Sequence, residues 1–203
     1  MVGAPIAGYE FYAWPYTGPG HTSSSLADFR IEAMASGAYN KLWSSVLPLG
    51  CLAAHTADPG ACLLPCYSYP YVRTPLFIME AQSDSVVLMH HDWLPDITAL
   101  HNATGHDTSS PDPAVSAYMS KFAANQSTFL AAAMSPTSKD GVFNPACFIH
   151  TAFENSFTIA QPDGTKIGYI AAFRKWLGGA SVKLADECNP GEVLCNPTCP
   201  LKK

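Results

Sequence analysis

Charge is scarce in this sequence, and basic charge is scarcest. Lys and Arg number 11 in 203 residues against 16 Asp and Glu, for a net charge of −5. A phosphate backbone or an anionic bilayer surface calls for a clustered positive footprint, so nucleic acid is excluded as a partner. Long apolar runs are also missing: none approaches the roughly 20 residues that span a bilayer, so no stable membrane insertion is expected. The opening MVGAPIAGYEFYAW has no basic segment followed by an apolar one, so no signal peptide is visible there. Internal repeats, heptads and low-complexity blocks are absent. So are nucleotide, flavin and metal signatures, and no cofactor is expected.

What is present is enough apolar residue, 48% of the chain, for one sizeable core. Seven cysteines, Cys51, Cys62, Cys66, Cys147, Cys188, Cys195 and Cys199, lie in stretches rich in Pro and Gly. Such a set points to disulfides and an oxidising, secretory compartment, and the odd count leaves at least one thiol over. The sequons at Asn102 and Asn125 agree with that compartment. A secreted type of protein without a leader is expected to be a piece of a longer chain. Cys195-x-x-x-Cys199 could suggest zinc, but only Cys188 adds to it, and no metal site is expected.

The pattern predicts a short strand within residues 2–13 and a helix from Ser25 to about Leu47, opened by Ser25 and Asp28. A cysteine-bearing loop leads to a strand at 75–79. After Asp84 an irregular segment, with His90-His91-Asp92 in an exposed loop, reaches Asp112-Pro113. That pair caps a second helix to about Met134. GVFNPACFIH reads as a sheet-edge turn and a short strand ending on His150. A turn at Pro162-Asp163-Gly164 and a short helix through Trp176 follow, closed by Gly178-Gly179. The tail from Ser181 shows little apolar periodicity and is expected to depend on disulfides. Trp43, Trp93 and Trp176 read as packing anchors. Strand, crossover helix, strand is the rhythm of a parallel α/β sheet.

Two residues then stand out for chemistry. In an open α/β sheet, ligands bind at the carboxyl ends of strands, where Asp84 and His150 both fall. Together they could form the acid and base of a nucleophilic hydrolase, the carboxylate fixing the imidazole tautomer. Taken singly, each has a plainer use: an Asp after a strand as a cap, a His in a strand as a structural residue.

PLFIMEAQSDSVVL, NPACFIH, CNPTCP and YNKLWSSVLPLGC…ACLLPCYSYPYVRTP resemble, in order and over nearly the whole chain, the Notum/pectin acetylesterase family of serine carboxylesterases. The resemblance implies an α/β-hydrolase-like parallel sheet, represented by its C-terminal half over residues 1–180, with a cysteine-rich, disulfide-stapled extension of the same domain over 181–203. It implies Asp84, nine residues after Pro75, as triad acid and His150, three after Cys147, as triad base. It also implies a Cys51–Cys62 disulfide, and an acyl pocket with contributions from Leu63, Leu64, Val86 and Ala152. Ile6-Ala7-Gly8 and Ala180 depart from the family pattern. The family's serine sits in a Gly-rich elbow, and no G-x-S-x-G occurs in these residues.

Two classes of function follow. One is a secreted carboxylesterase acting on an O-acylated glycan or an acylated protein, with its nucleophile encoded upstream. The other is a non-catalytic extracellular binding module that keeps the pocket without the elbow. A G-x-S-x-G upstream of Met1 in the genomic sequence would favour the first.

Overall fold

The computed structural model describes residues 1–7, 14–22, 46–97, 112–151 and 157–199. Its centre is a parallel sheet of three strands in the order β1 (Phe77–Met79), β3 (Gly141–Asn144), β7 (Lys183–Ala185). Residues 3–7 lie along the free side of β1 through two parallel bridges, Gly3 to Leu76 and Ile6 to Met79. The predicted first strand is therefore present as an edge, and its continuation past Ala7 lies outside the described residues. Beyond the carboxyl ends of β1 and β3 the chain forms a second parallel pair, β2 (Ser83–Asp84) with β4 (Phe148–Ile149).

The sheet is covered on both faces, as parallel sheets require. Alternate residues of a strand point to opposite faces. Ile78 and Val142 pack with Leu130 and Ala133 of the long helix Pro113–Met134. On the other face Phe77, Met79 and Phe143 pack with Ala172 and Trp176 of the helix Tyr169–Leu177 and with the hairpin β5 (Thr158–Ala160)–β6 (Lys166–Gly168). Trp176 is a packing anchor, its indole N–H donating to the Lys139 carbonyl at 2.9 Å. β3 starts on a glycine because a Cβ at Gly141 would come within 2.2 Å of the Phe77 ring.

The long helix starts where the sequence predicts. Pro113 occupies its first turn and the Asp112 carboxylate accepts from Ala114 N at 2.8 Å. The hairpin turn, and the helix closed at Gly178 with Gly179 at φ +91°, also match expectation. Two expectations are corrected. Residues 141–144 are a central strand instead of an edge turn, Gly141 making room for Phe77 and not for a bend. His90 and His91 end a helical turn, Val87–His91, and Asp92 is buried, because Val87 and Leu88 anchor that segment in the core.

The tail is stapled by disulfides, as expected, and also carries a strand that its residues did not announce. Val182 and Leu184 are too few to show a period, yet they suffice to add β7 to the sheet. Between them Lys183 donates to the carbonyls of Ala133 and Asp140, satisfying an end of the long helix, and burial lowers its pKa. The predicted helix at 25–47 and Trp43 lie outside the described residues, except Val46 and Leu47, which are not helical.

Candidate functional site

Asp84 ends β2 with only 1% of its surface exposed. A carboxylate that deep requires donors. Its Oδ1 takes two, the backbone N–H groups of Val86 and Val87, each at 2.9 Å, which open the helical turn that follows. Asp84 is thus a helix cap through one oxygen. Its second oxygen is turned toward the neighbouring strand.

On that strand Asp84 lies opposite Ile149, so the next residue, His150, emerges beside the carboxylate. His150 Nδ1 is 2.8 Å from Oδ2 and 3.0 Å from Oδ1. An ionised carboxylate can only accept, so the neutral ring carries its proton on Nδ1 and presents the Nε2 lone pair on its far side. The His150 side chain is 29% exposed against 1% for its partner, so a carboxylate buried beneath it orients the ring.

The other predicted residues are distributed unevenly. Leu64 is fully buried in a cluster with Val87, Leu88 and Phe148, the segments that flank Asp84 and His150, and Leu63 packs on its margin. Val86 is half-buried and bonded to Asp84 through its backbone. Ala152 lies outside the described residues. Cys51 and Cys62 are joined, with Cα atoms 5.9 Å apart. Two further disulfides, Cys147–Cys199 and Cys188–Cys195, engage the three tail cysteines, and the seventh cysteine, Cys66, is buried outside these bonds. Cys195 and Cys199 thus belong to different disulfides instead of one metal site. A separate groove of about 490 Å³ runs between Trp14–Gly18 and the long helix at Tyr118, Lys121 and Phe129; neither Asp84 nor His150 lines it.

Behind His150 the tail forms a polar brace that the sequence reading missed. Asp186 Oδ2 accepts from Ala146 N at 2.9 Å and from Asn196 Nδ2 at 2.7 Å. Its only advance sign was an acid between β-like Leu184 and a cysteine.

The family model described as pectinacetylesterase matches residues 21–200. The chain belongs to the pectinacetylesterase family. Among solved structures it is similar to Drosophila Notum, described as a Wnt deacylase. It shares 22% identity with crystal form II, at a TM-score of 0.66, over 98% of this chain and 48% of that one. Crystal form I gives 22% identity and a TM-score of 0.64, over 98% of this chain and 49% of that one. The fold is therefore of α/β-hydrolase type, and the chain spans about half the length of the structures it matches. Comparison with curated proteins gives no match.

The brace makes a pH-dependent prediction. Burial pushes the Asp186 carboxyl above its ordinary value, against the two bonds that favour its charge. The fold thus holds this proton more tightly than the unfolded chain does. The stability it contributes is complete below the unfolded value, near pH 4, and is lost as pH rises through the folded value. Asp186→Asn keeps an oxygen for Ala146 and Asn196 but removes the titration. In thermal melts from pH 4 to 7, the Tm of the variant should gain on that of the native protein as pH rises. A gap constant with pH would refute this.

Proposed function

We propose that this pectinacetylesterase-family chain carries the acid and base of a carboxylic ester hydrolase that removes an O-acyl group from a glycan or a protein. The observation that carries the proposal is the Asp84–His150 contact at 2.8 Å, at the carboxyl ends of adjacent parallel strands. In the proposed reaction His150 Nε2 takes the proton of a serine hydroxyl as it attacks the acyl carbon, then returns it to the departing alcohol oxygen. Water repeats the cycle on the acyl-enzyme. Asp84 holds the ring and stabilises the imidazolium.

No G-x-S-x-G occurs within the 203 residues, so the serine and the backbone donors for the oxyanion are proposed to come from chain outside them. The disulfides support secretion as the setting. No helix among the described residues is long and apolar enough to cross a membrane. The acylated substrates proposed here agree with the deacylase activity named for the Notum structures.

A serine-directed fluorophosphonate tests this. The 203-residue chain alone should stay unlabelled, whereas a gene product that includes the elbow should label and lose that labelling on His150→Ala. Robust labelling of the 203-residue chain, or labelling of the longer product that ignores His150, would overturn the proposal.

A further inference from the structure

Between its two strand pairs the parallel ladder changes register. Met79 faces Phe143, 64 residues later, whereas Ser83 faces Phe148, 65 residues later. The arm that leads from β3 to His150 therefore holds one residue more than the arm that leads from β1 to Asp84. Such a bulge breaks the ladder and leaves backbone groups to be satisfied by other means. Here the bulge lies directly upstream of the acid and the base.

Three side-chain amides fill the break. Gln126 sits on the buried stripe of the long helix, among Val115, Met119, Phe122, Leu130 and Ala133, and is itself only 1% exposed. A glutamine on that stripe is costly unless both ends of its amide are bonded. Its Nε2 donates to the Ala81 carbonyl at 2.8 Å, and its Oε1 accepts from Asn144 Nδ2 at 2.8 Å. The same Asn144 nitrogen donates to the Glu80 carbonyl at 2.6 Å. Gln82 Nε2 returns across the gap to the carbonyls of Asn144 at 3.2 Å and Asp186 at 2.7 Å. One amide thus ties the acid's arm to the helix, the second ties that arm to the base's arm, and the third ties both to the strand beyond.

We infer that Gln126, Asn144 and Gln82 are positioning residues. They hold the two arms in their shifted register, so that Asp84 and His150 meet within hydrogen-bond distance. The inference rests on the acid–base reading of that pair, and touches neither substrate nor nucleophile. A smaller role, merely satisfying a bulge, would leave the His150 ring indifferent to their loss.

The test follows the ring itself in the 203-residue protein, with histidine labelled by ¹⁵N in the imidazole and the His150 signals identified by their absence in His150→Gln. The native protein should show a downfield, hydrogen-bonded Nδ1 proton and nitrogen shifts of a single tautomer. In Gln126→Leu, which keeps side-chain bulk and removes both bonds, that proton signal should be lost and the nitrogen shifts should move toward those of a free imidazole. Leu130→Ala, a cavity variant one turn along the same helix, should lower Tm and leave the signal in place.

Gln82→Met, at a half-buried position, should weaken the signal even if Gln126→Leu fails to fold. A His150 signal unchanged in Gln82→Met, or in a folded Gln126→Leu, would overturn the positioning role alone. Equal loss in Leu130→Ala would overturn it as general loosening. Absence of the signal from the native protein would overturn both this role and the acid–base pair beneath it.

Discussion

Asp84→Asn, in a gene product that includes the proposed serine elbow, is expected on the proposed acid–base reading to lower kcat about 10⁴-fold while changing the fold little. The reason lies in how the two carboxylate oxygens divide their work. Oδ1 accepts from the backbone of Val86 and Val87, and Oδ2 receives His150. An asparagine has one accepting oxygen, which the two fixed backbone donors claim. Its NH₂ then faces His150 Nδ1, which must accept, and the imidazole proton moves to Nε2, where no base remains. The cap survives, so Tm should stay within a few degrees of the native value. His150→Ala removes the base directly and should cost a similar factor. Asp84→Ala differs from both because it also loses the cap, about 1 kcal/mol of stability. Steady-state hydrolysis of a simple O-acyl ester, paired with thermal melts, separates the three variants. Activity of Asp84→Asn within tenfold of native would remove the acid from its assigned role.

How far this site could be read from the residues depends on whether its contacts are local. The strand Phe77–Met79 and the helix Pro113–Met134 were legible because a continuous apolar run and an Asp-Pro start carry their own signals. Asp84 and His150 were legible as residues at strand ends that could face one crevice, and family resemblance singled the pair out, since nothing in the sequence states that residues 66 positions apart touch. The helical turn after Asp84 was missed although its cap was in view: SVVLMHH reads as irregular until Asp84 Oδ1 is seen holding two of its amides. Gln126 and Asn144 gave a usable hint, polar residues where an apolar stripe and a buried strand call for apolar ones, but their shared purpose depends on a register shift that only strand pairing reveals. β7 was hidden for the opposite reason. Three residues stabilised by neighbours on one side and by a lysine bonded across the sheet edge leave no period to detect.

The second large effect is expected from the disulfide that connects the tail to the segment leading to His150. Cys147 and Cys199 close a loop with a sequence separation of 52, against 11 for Cys51–Cys62 and 7 for Cys188–Cys195. Loop-closure entropy then assigns it about 4 kcal/mol, compared with about 2.8 and about 2.4 kcal/mol for the other two. At roughly 2–4 °C per kcal/mol for a chain of this size, replacing both Cys147 and Cys199 by Ala should lower Tm by about 8–16 °C. The smaller loops should cost less, in order of length. The native state reinforces the ranking. Thr198 Oγ1 accepts from Thr158 N at 2.8 Å, and Asn196 donates to the Thr158 carbonyl at 2.8 Å and to Asp186 at 2.7 Å. The bond thus fastens a tail that is already folded against β5 to a point three residues before His150. Once it is cut, those hydrogen bonds must hold the tail unaided, so stability should fall by at least the entropic amount. Melts of the three double variants under oxidising conditions decide the matter. Were the Cys188–Cys195 variant the least stable of the three, loop length would not be the governing term, and the tail would have to be stabilised chiefly by its own small ring.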